Sequence, residues 1–171
     1  MHREQHDRIR CCDRSLKLAR ERPTSIHMKL TRLIYASVTR SEMSYAELTA
    51  VLRTAEAHNS QHGITGILCY SDGKFLQALE GDRDALNRLY NRIVRDPRHE
   101  DCTILRYGRV IARHYDDWSM KLVGLDDQPS AFRRALVMKY SGSPTFDPMH
   151  LTGSQASSLL EALAHATRRA A

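Results

Sequence analysis

The alternation of apolar and polar positions changes its period several times along the middle of the chain, and each change marks a new element. The β-branched and aromatic run 30–38 predicts a first strand. Ser44 and Glu47 have the S-x-x-E spacing of a capping box, which predicts a helix from Ser44 to about Ser60. The apolar run 64–70 predicts a second, buried strand. This part of the chain therefore has the order β, α, β.

A hairpin and a second helix are predicted next. The Asp-Gly pair at 72–73 signals a tight turn, so residues 74–80 are expected to pair antiparallel with the preceding strand. A second helical pattern starts at residues 81–82 and ends before Pro97, because the residue before a proline is biased away from helix. Two further β-rich segments, predicted as the fourth and fifth strands, are residues 103–112 and 118–123.

The order βαββαβ is that of the split ferredoxin-like arrangement, an antiparallel sheet with two helices on one face. We therefore predict an α+β fold of this kind with an added fifth strand. The other face of such a sheet needs a cover, and the helical patterns at 130–140 and 154–169 can supply it. The predicted divisions are an N-terminal arm over 1–27, a folded domain over 28–125 and a C-terminal helical extension over 126–171.

The N-terminal arm is charged throughout and has no clear apolar period, which is typical of a mobile segment. The alternatives are a short amphipathic helix around residues 15–22, or translation that starts at Met28. The arm has no apolar stretch of the kind that a secretory signal contains. No run in the chain approaches the roughly 20 apolar residues of a membrane helix, so a cytoplasmic protein without a membrane partner is expected.

The net charge of +6 is concentrated at the two ends of the chain. Residues 1–27 and 128–171 each carry an excess of basic residues, whereas the stretch between them is neutral. A nucleic-acid-binding domain usually carries its basic surface on the folded body, so nucleic acid is not the expected partner.

No metal site is predicted. The four cysteines form no C-x-x-C pair and have no zinc-ligand spacing, so they are expected to be reduced thiols. His58 and His62 are four residues apart, a spacing that can bind metal on a helix, but the sequence supplies no third ligand near them.

The candidate functional residues are identified from the alternation of side chains between the two faces of a strand. On this basis Tyr35, Gln77 and the pair Trp118 and Met120 are predicted to face the two helices and to line one cleft. Gln77 lies in an apolar strand, and a buried amide without partners costs about 1–3 kcal/mol. Gln77 is therefore expected to be hydrogen-bonded to a neighbour in the cleft.

Five short motifs occur in order along the predicted domain and together closely resemble the BLUF family, sensors of blue light using FAD. The likeness covers roughly residues 28–125, and it is to the short type without a fused output domain. The motifs are LIYAS at 33–37, N-x-x-x-G-I-T-G-I-L at 59–68, YSDGKFLQALEG at 70–81, DPRH at 96–99 and DWSM at 117–120.

The resemblance implies a flavin held between the two helices, FAD by analogy with the family. The sequence has no Gly-rich phosphate cradle, so FMN and riboflavin remain alternatives. By the same resemblance Tyr35 gives an electron and then a proton to the excited flavin, and Gln77 is the switch between the phenol and the flavin. The implied cofactor contacts are Asn59, His58, Arg92 and Asp96. Trp118 and Met120 match a last-strand pair that exchanges positions on signalling.

Short members of the family act through a partner protein or their own oligomer, so a downstream signalling partner and a homo-oligomer are expected here and a catalytic activity is not. Tyr35, Trp118 and Met120 also have an ordinary interpretation as core packing, and Gln77 has one as a hydrogen-bonded structural amide. One competing function is a ferredoxin-like RNA-binding module in which Tyr35 and Phe75 stack on bases. The other is a flavin-dependent enzyme with Tyr35 as its acid or base.

Overall fold

The computed structural model describes residues 30–170, where a five-stranded sheet has helices on both faces. The predictions for the N-terminal arm lie outside the described residues. The strands are β1 (Leu30–Thr39), β2 (Thr65–Ser71), β3 (Lys74–Asp82), β4 (His99–Arg109) and β5 (Lys121–Gly124). The helices are α1 (Tyr45–Gln61), α2 (Arg83–Ile93), α3 (Ser130–Ser141) and α4 (Gly153–Ala170), with a short 3-10 helix at Pro148–His150.

The strand order is β4-β1-β3-β2-β5, and the α+β ferredoxin-like prediction is confirmed. β1 lies antiparallel to both β3 and β4, and β2 lies antiparallel to β3. β5 pairs parallel with β2, so the sheet is mixed where a purely antiparallel one was predicted. After β4, at one edge of the sheet, the chain crosses to the opposite edge and reverses direction, so β5 runs antiparallel to β4. In this strand order β2 also runs antiparallel to β4, and β5 and β2 are therefore parallel.

The structure contains the helix start and the tight turn that local sequence signals predict. Ser44 Oγ accepts from the Glu47 amide at 3.3 Å, and the Glu47 carboxylate accepts from the Ser44 amide at 2.8 Å, which completes the capping box of α1. The turn between β2 and β3 has positive φ at both Asp72 (50°) and Gly73 (69°). Two successive positive φ values are what a type I′ hairpin turn needs, and Asp-Gly supplies them at low cost.

The sheet separates two apolar layers. α1 and α2 cover the face that carries Leu33, Tyr35 and Phe75. α3 and α4 pack on the opposite face, over side chains such as Ile34 and Leu76, so the predicted C-terminal cover is present. The alternation along β1 therefore assigns each residue to one of two cores, as the sequence pattern requires.

The prediction that Trp118 and Met120 share a face is wrong. Met120 belongs to the core beneath α1 and α2, whereas Trp118 packs against the core beneath α3 and α4. β5 begins only at Lys121, so residues 118–120 are an irregular segment rather than a strand. Alternation between faces holds only for extended, paired backbone, and it does not apply to this segment.

Candidate functional site

A cleft of about 290 Å³ lies between α1, α2 and the sheet. This volume is of the order of the few hundred Å³ that small-molecule sites enclose. Most of its walls are apolar, with Val51, Leu68 and Leu89 among them. Six of the eight predicted site residues line this cleft: Tyr35, His58, Asn59, Gln77, Arg92 and Asp96. Met120 contacts Gln77 from below, and Trp118 lies on the opposite side of the sheet.

The polar centre of the cleft is a chain of hydrogen bonds through Gln77. Tyr35 and Gln77 are directly opposite each other in the β1–β3 ladder, so their side chains emerge on the same face. The Tyr35 hydroxyl donates to Gln77 Oε1, and Gln77 Nε2 donates to Met120 Sδ at 3.2 Å. Tyr35 is 1% exposed and Gln77 6%. The amide is therefore satisfied at both ends, as its burial requires.

Burial also fixes the protonation state of the phenol. It raises the pKa of Tyr35 far above its usual value, with nearby Cys102, Tyr90 and Asp96 acting in the same direction. A buried phenolate without a cation partner is strongly disfavoured, so Tyr35 stays protonated and serves as the hydrogen-bond donor. The ring of Tyr90 packs edge-on against it, with the centroids 5.4 Å apart.

Asn59 connects the cleft to the irregular segment before β5. It lies near the end of α1, is 1% exposed, and donates through Nδ2 to the Ser119 carbonyl at 2.9 Å. The Gly66 amide donates to the Trp118 carbonyl at 3.1 Å. Asn59 and Gln77 contact neighbouring residues of this segment, so both carboxamides lie at the same end of the cleft.

His58 and Arg92 join the two helices at the mouth of the cleft. The Arg92 guanidinium donates to His58 Nε2, which links α2 to α1. Burial is the main cause that lowers the pKa of His58, and the nearby Arg92 charge acts in the same direction. A neutral imidazole can accept this hydrogen bond, whereas an imidazolium cannot.

Arg98 and His99 of the DPRH motif also line the cleft, although the sequence predicted no role for them. Arg98 binds Asp96 through two hydrogen bonds, 2.9 Å and 2.5 Å long, and these hold the pKa of Asp96 at about 2. His99 shares a 2.8 Å hydrogen bond with Ser37 Oγ and packs against Phe75 at the sheet. β4 begins at His99, earlier than the predicted residue 103, because His99 pairs with Thr39 of β1.

The residues fit a flavin. An isoalloxazine ring is flat and apolar on its faces, and it carries carbonyl and nitrogen groups along one edge. The cleft has apolar walls, and at one end it has two buried carboxamides, each with donor and acceptor atoms. Asn59 and Gln77 are the groups that would bind the polar edge, and Arg92 lies beside them on the wall formed by α2.

A model of the family described as sensors of blue light using FAD matches residues 30–121, more than half of the chain. The chain belongs to the BLUF family. BLUF domains are sensors that bind flavin and signal to fused or separate partners. The match falls inside the predicted limits of the domain, 28–125, which stay a prediction.

Two relatives with similar sequences are much longer than this chain. The photoactivated adenylate cyclase subunit beta of Euglena gracilis is 42% identical over 92 residues, which are 53% of this chain and 11% of that protein. The blue light- and temperature-regulated antirepressor BluF of Escherichia coli (strain K12) is 32% identical over 96 residues, 56% of this chain and 24% of that protein. The chain therefore spans about a tenth to a quarter of the length of these relatives.

Solved BLUF structures share the fold over most of the described region. BlrB, in its dark state, has a TM-score of 0.64 at 29% identity over 81% of this chain and 97% of its own. BlsA in its ground state has a TM-score of 0.69 at 29% identity over 78% of this chain and 87% of its own. Klebsiella pneumoniae BlrP1, solved with FMN and cyclic diGMP, has a TM-score of 0.56 at 33% identity over 60% of this chain and 27% of its own.

The burial of Tyr35 and Phe75 argues against the RNA-binding alternative. Tyr35 and Phe75 are each 1% exposed and lie beneath α1 and α2, so they offer no open surface on which bases could stack.

None of the helices within residues 30–170 combines the length and the apolar character that a bilayer span requires.

Acidification is expected to destabilise this BLUF domain through His99. Burial is the main cause that lowers the pKa of His99 below its usual 6.5. Below pH 6.5 the unfolded chain therefore takes up a proton that the folded chain resists, and stability falls as the pH drops through this value. The loss in urea midpoint between about pH 7.5 and about pH 5.5 should be smaller in His99→Gln than in the wild type.

The control for this titration is His165→Gln, which replaces an exposed histidine of α4. It should lose as much stability on acidification as the wild type does. Equal losses in the wild type and in His99→Gln would contradict the assignment of this pH dependence to His99.

Proposed function

We propose that this chain senses blue light through the pair Tyr35 and Gln77 and passes the signal through residues 118–120 to a partner protein. The observation that carries the proposal is the buried hydrogen-bond chain from the Tyr35 hydroxyl through Gln77 to Met120, inside a cleft that fits a flavin. This chain of contacts joins the polar end of the cleft to a segment that also contacts the C-terminal helices.

The bound flavin supplies light absorption and, when excited, the capacity to take up an electron and a proton. Tyr35 is the donor of both, since its buried hydroxyl stays protonated and already donates to Gln77 Oε1. The electron and the proton would return to Tyr35, so a light cycle would leave no chemical product. Asn59 and Arg92 would bind and orient the cofactor, and the apolar walls would exclude water.

Gln77 is the switch because its terminal amide presents a donor at one end and an acceptor at the other. In the structure, Oε1 faces Tyr35 and Nε2 faces Met120. Rotation or tautomerisation of the amide exchanges these roles without any movement of the backbone. The rearranged amide would offer a donor to a flavin carbonyl and shift the absorption slightly to the red, while Met120 would lose its hydrogen-bond donor.

The proposed route of the signal out of the cleft runs through contacts between α4 and the segment before β5, on the face of the sheet that α3 and α4 cover. Arg168 of α4 donates to Asp117 Oδ2 at 2.7 Å and to the His114 carbonyl at 2.6 Å. Its guanidinium also lies 4.8 Å from the centre of the Trp118 ring. The segment before β5 therefore contacts the cleft through Met120 and α4 through Trp118 and Asp117. We propose that exchange of Met120 and Trp118 at the cleft moves α4, and that α3 and α4 present the signal to a partner or to a second copy of the chain.

The test is the absorption spectrum of the full-length chain loaded with flavin. A yellow protein whose flavin band moves reversibly to longer wavelength under blue light supports the proposal. A colourless protein that retards RNA in a gel would support the RNA-binding module instead. Turnover of NAD(P)H by the bound flavin would support a flavin-dependent enzyme.

Replacing Arg168 by glutamine is expected to separate photochemistry from readout. Arg168→Gln removes the charge that holds Asp117 and covers Trp118, but it leaves the cleft intact. The light-induced red shift should persist. The light-dependent change in amide hydrogen exchange of α4 should fall to about half of the wild-type value or less, since protection reports local stability.

Arg169→Gln is the matched control for this experiment, because the neighbouring Arg169 is exposed on the same helix. It should behave as the wild type in both measurements. If α4 of Arg168→Gln keeps the full light-dependent change in exchange, the proposed route through Arg168 is wrong.

A further inference from the structure

A buried ion pair lies beneath α4, on the face of the sheet opposite the flavin cleft. Arg32 of β1 is 5% exposed and Glu80 of β3 is fully buried, and Arg32 Nε donates to Glu80 Oε1 at 2.7 Å. The Glu80 carboxylate also accepts from the backbone amides of His114 and Tyr115, at 2.9 Å and 3.1 Å. The ion pair therefore holds the start of the β4–β5 connection, residues 110–120, against the sheet.

Glu161 of α4 brings a second carboxylate to this place. Glu161 Oε1 lies 3.9 Å from Arg32 Nη1 and accepts from Ser157 Oγ at 3.0 Å. His114 Nδ1 lies 3.1 Å from the same carboxylate oxygen. The Arg32 guanidinium thus lies between two carboxylates, and protonation of His114 brings a second positive charge to Glu161.

We propose that His114 and Glu161 form a pH-sensitive latch between the β4–β5 connection and α4, and that acidification strengthens this latch and restrains the light-driven movement of α4. The charge of a histidine changes between about pH 5 and about pH 8. An imidazolium binds a carboxylate more strongly than a neutral imidazole does, so the latch is strongest at the acidic end of this range. The inference rests on the proposed readout through α4.

The latch joins the same two parts of the chain as Arg168 does. Arg168 donates to the His114 carbonyl and to Asp117, whereas Glu161 binds the side chain of His114. Glu161 precedes Arg168 by two turns of α4, so the two contacts hold the helix at separate points. Movement of α4 away from the connection has to break both contacts, and only one of them depends on a histidine proton.

The other titratable groups around His114 do not replace this proton. Those that line the cavity of about 320 Å³ at His114, besides Glu161, are Arg113, Tyr115, Asp116, His165 and Arg168. The guanidinium of Arg168 is paired with Asp117, and that of Arg113 donates to two backbone carbonyls and to the Thr65 hydroxyl. Burial raises the pKa of Tyr115, so its phenol stays neutral. The Asp116 carboxylate favours a protonated His114, as Glu161 does.

The second histidine of the cavity provides a control. Within residues 30–170, His165 forms no hydrogen bond or ion pair, although it lies on α4 and lines the same cavity as His114. Its protonation changes the charge of the cavity without forming the contact between α4 and the β4–β5 connection.

The size of the effect follows from the exposure of the latch. The side chains of His114 and Glu161 are 47% and 36% exposed, so water and salt screen their attraction. At about pH 6 we expect the latch to raise the protection of the α4 amides against hydrogen exchange by about threefold. This gain should decrease as the pH rises to about 8.

The experiment measures amide hydrogen exchange of the flavin-loaded full-length chain at about pH 6 and about pH 8, as protection relative to the intrinsic exchange rate at each pH. In the dark, the wild type should protect α4 about threefold more than His114→Gln does at the lower pH, and this ratio should fall toward one at the higher pH. Glu161→Gln should resemble His114→Gln, and His165→Gln should resemble the wild type. Under blue light, the change in α4 exchange should be larger at the higher pH in the wild type and independent of pH in His114→Gln.

The outcomes separate this inference from the function on which it rests. A dark ratio that is the same at both pH values, or a light-dependent change in the wild type that is as large at about pH 6 as at about pH 8, overturns the latch. The flavin red shift should persist in His114→Gln, because His114 lies outside the flavin cleft. Loss of the red shift in the wild type would overturn the light-sensing proposal, and the dark measurement would still decide whether the latch forms.

Discussion

Replacing Tyr35 by phenylalanine is expected to leave the flavin bound and to abolish the light-induced red shift completely. The phenylalanine ring keeps the packing against Tyr90 and the volume of the cleft wall. Only the hydroxyl is lost, and with it the hydrogen bond to Gln77 Oε1 and the proposed source of the electron and proton. The net cost in folding free energy should be about 1 kcal/mol, typical of one lost hydrogen bond. The measurement is the light-minus-dark absorption spectrum of the flavin-loaded variant.

The matched control is Tyr115→Phe, because Tyr115 is another fully buried tyrosine but belongs to the core beneath α3 and α4. Within the described residues its hydroxyl has no hydrogen-bond partner, so its removal should not reduce stability. Tyr115→Phe should retain the red shift in full. A normal, reversible red shift in Tyr35→Phe would rule out the role assigned to its phenol.

Replacing Gln77 by leucine is expected to have an equally large effect on the photocycle. Leucine fills a similar volume but can make neither the hydrogen bond with Tyr35 nor that with Met120. The flavin should stay bound by the remaining contacts, and the normal red shift should be absent. The variant also leaves the buried Tyr35 hydroxyl without its acceptor, which should cost about 1–3 kcal/mol in the free energy of unfolding. Absorption spectra and urea unfolding measure the two effects.

Met120→Leu is the companion to this variant, because it removes only the contact at Gln77 Nε2. The pair Tyr35 and Gln77 stays intact, so a red shift should persist. If Met120→Leu abolishes the shift while Gln77→Leu retains it, the switch lies at the thioether and not at the amide.

Much of the fold could be predicted because its signals are local. The capping box of α1 and the Asp-Gly turn each involve only a few neighbouring residues, and both form as the sequence indicates. The failure at Trp118 has a physical reason: alternation between faces requires an extended, paired backbone, and the segment before β5 is irregular. The fourth strand was predicted to start at residue 103, whereas β4 starts at His99, which pairs with Thr39 of β1.

The candidate site was predictable to the extent that it depends on register. Once β1 and β3 are neighbours, alternation brings Tyr35 and Gln77 together, and the ladder places them directly opposite each other. The contact between His58 and Arg92 depends on how two helices lie side by side, which no short sequence pattern specifies.

The central claim is that light rearranges the hydrogen bonds of Gln77 at the edge of a bound flavin. Its most direct test is the light-minus-dark infrared difference spectrum of the flavin-loaded full-length chain. A flavin carbonyl stretch is expected to move to lower frequency on illumination, to return in the dark, and not to move in Gln77→Leu. A carbonyl band that stays fixed in the wild type, or that moves equally in Gln77→Leu, would contradict it.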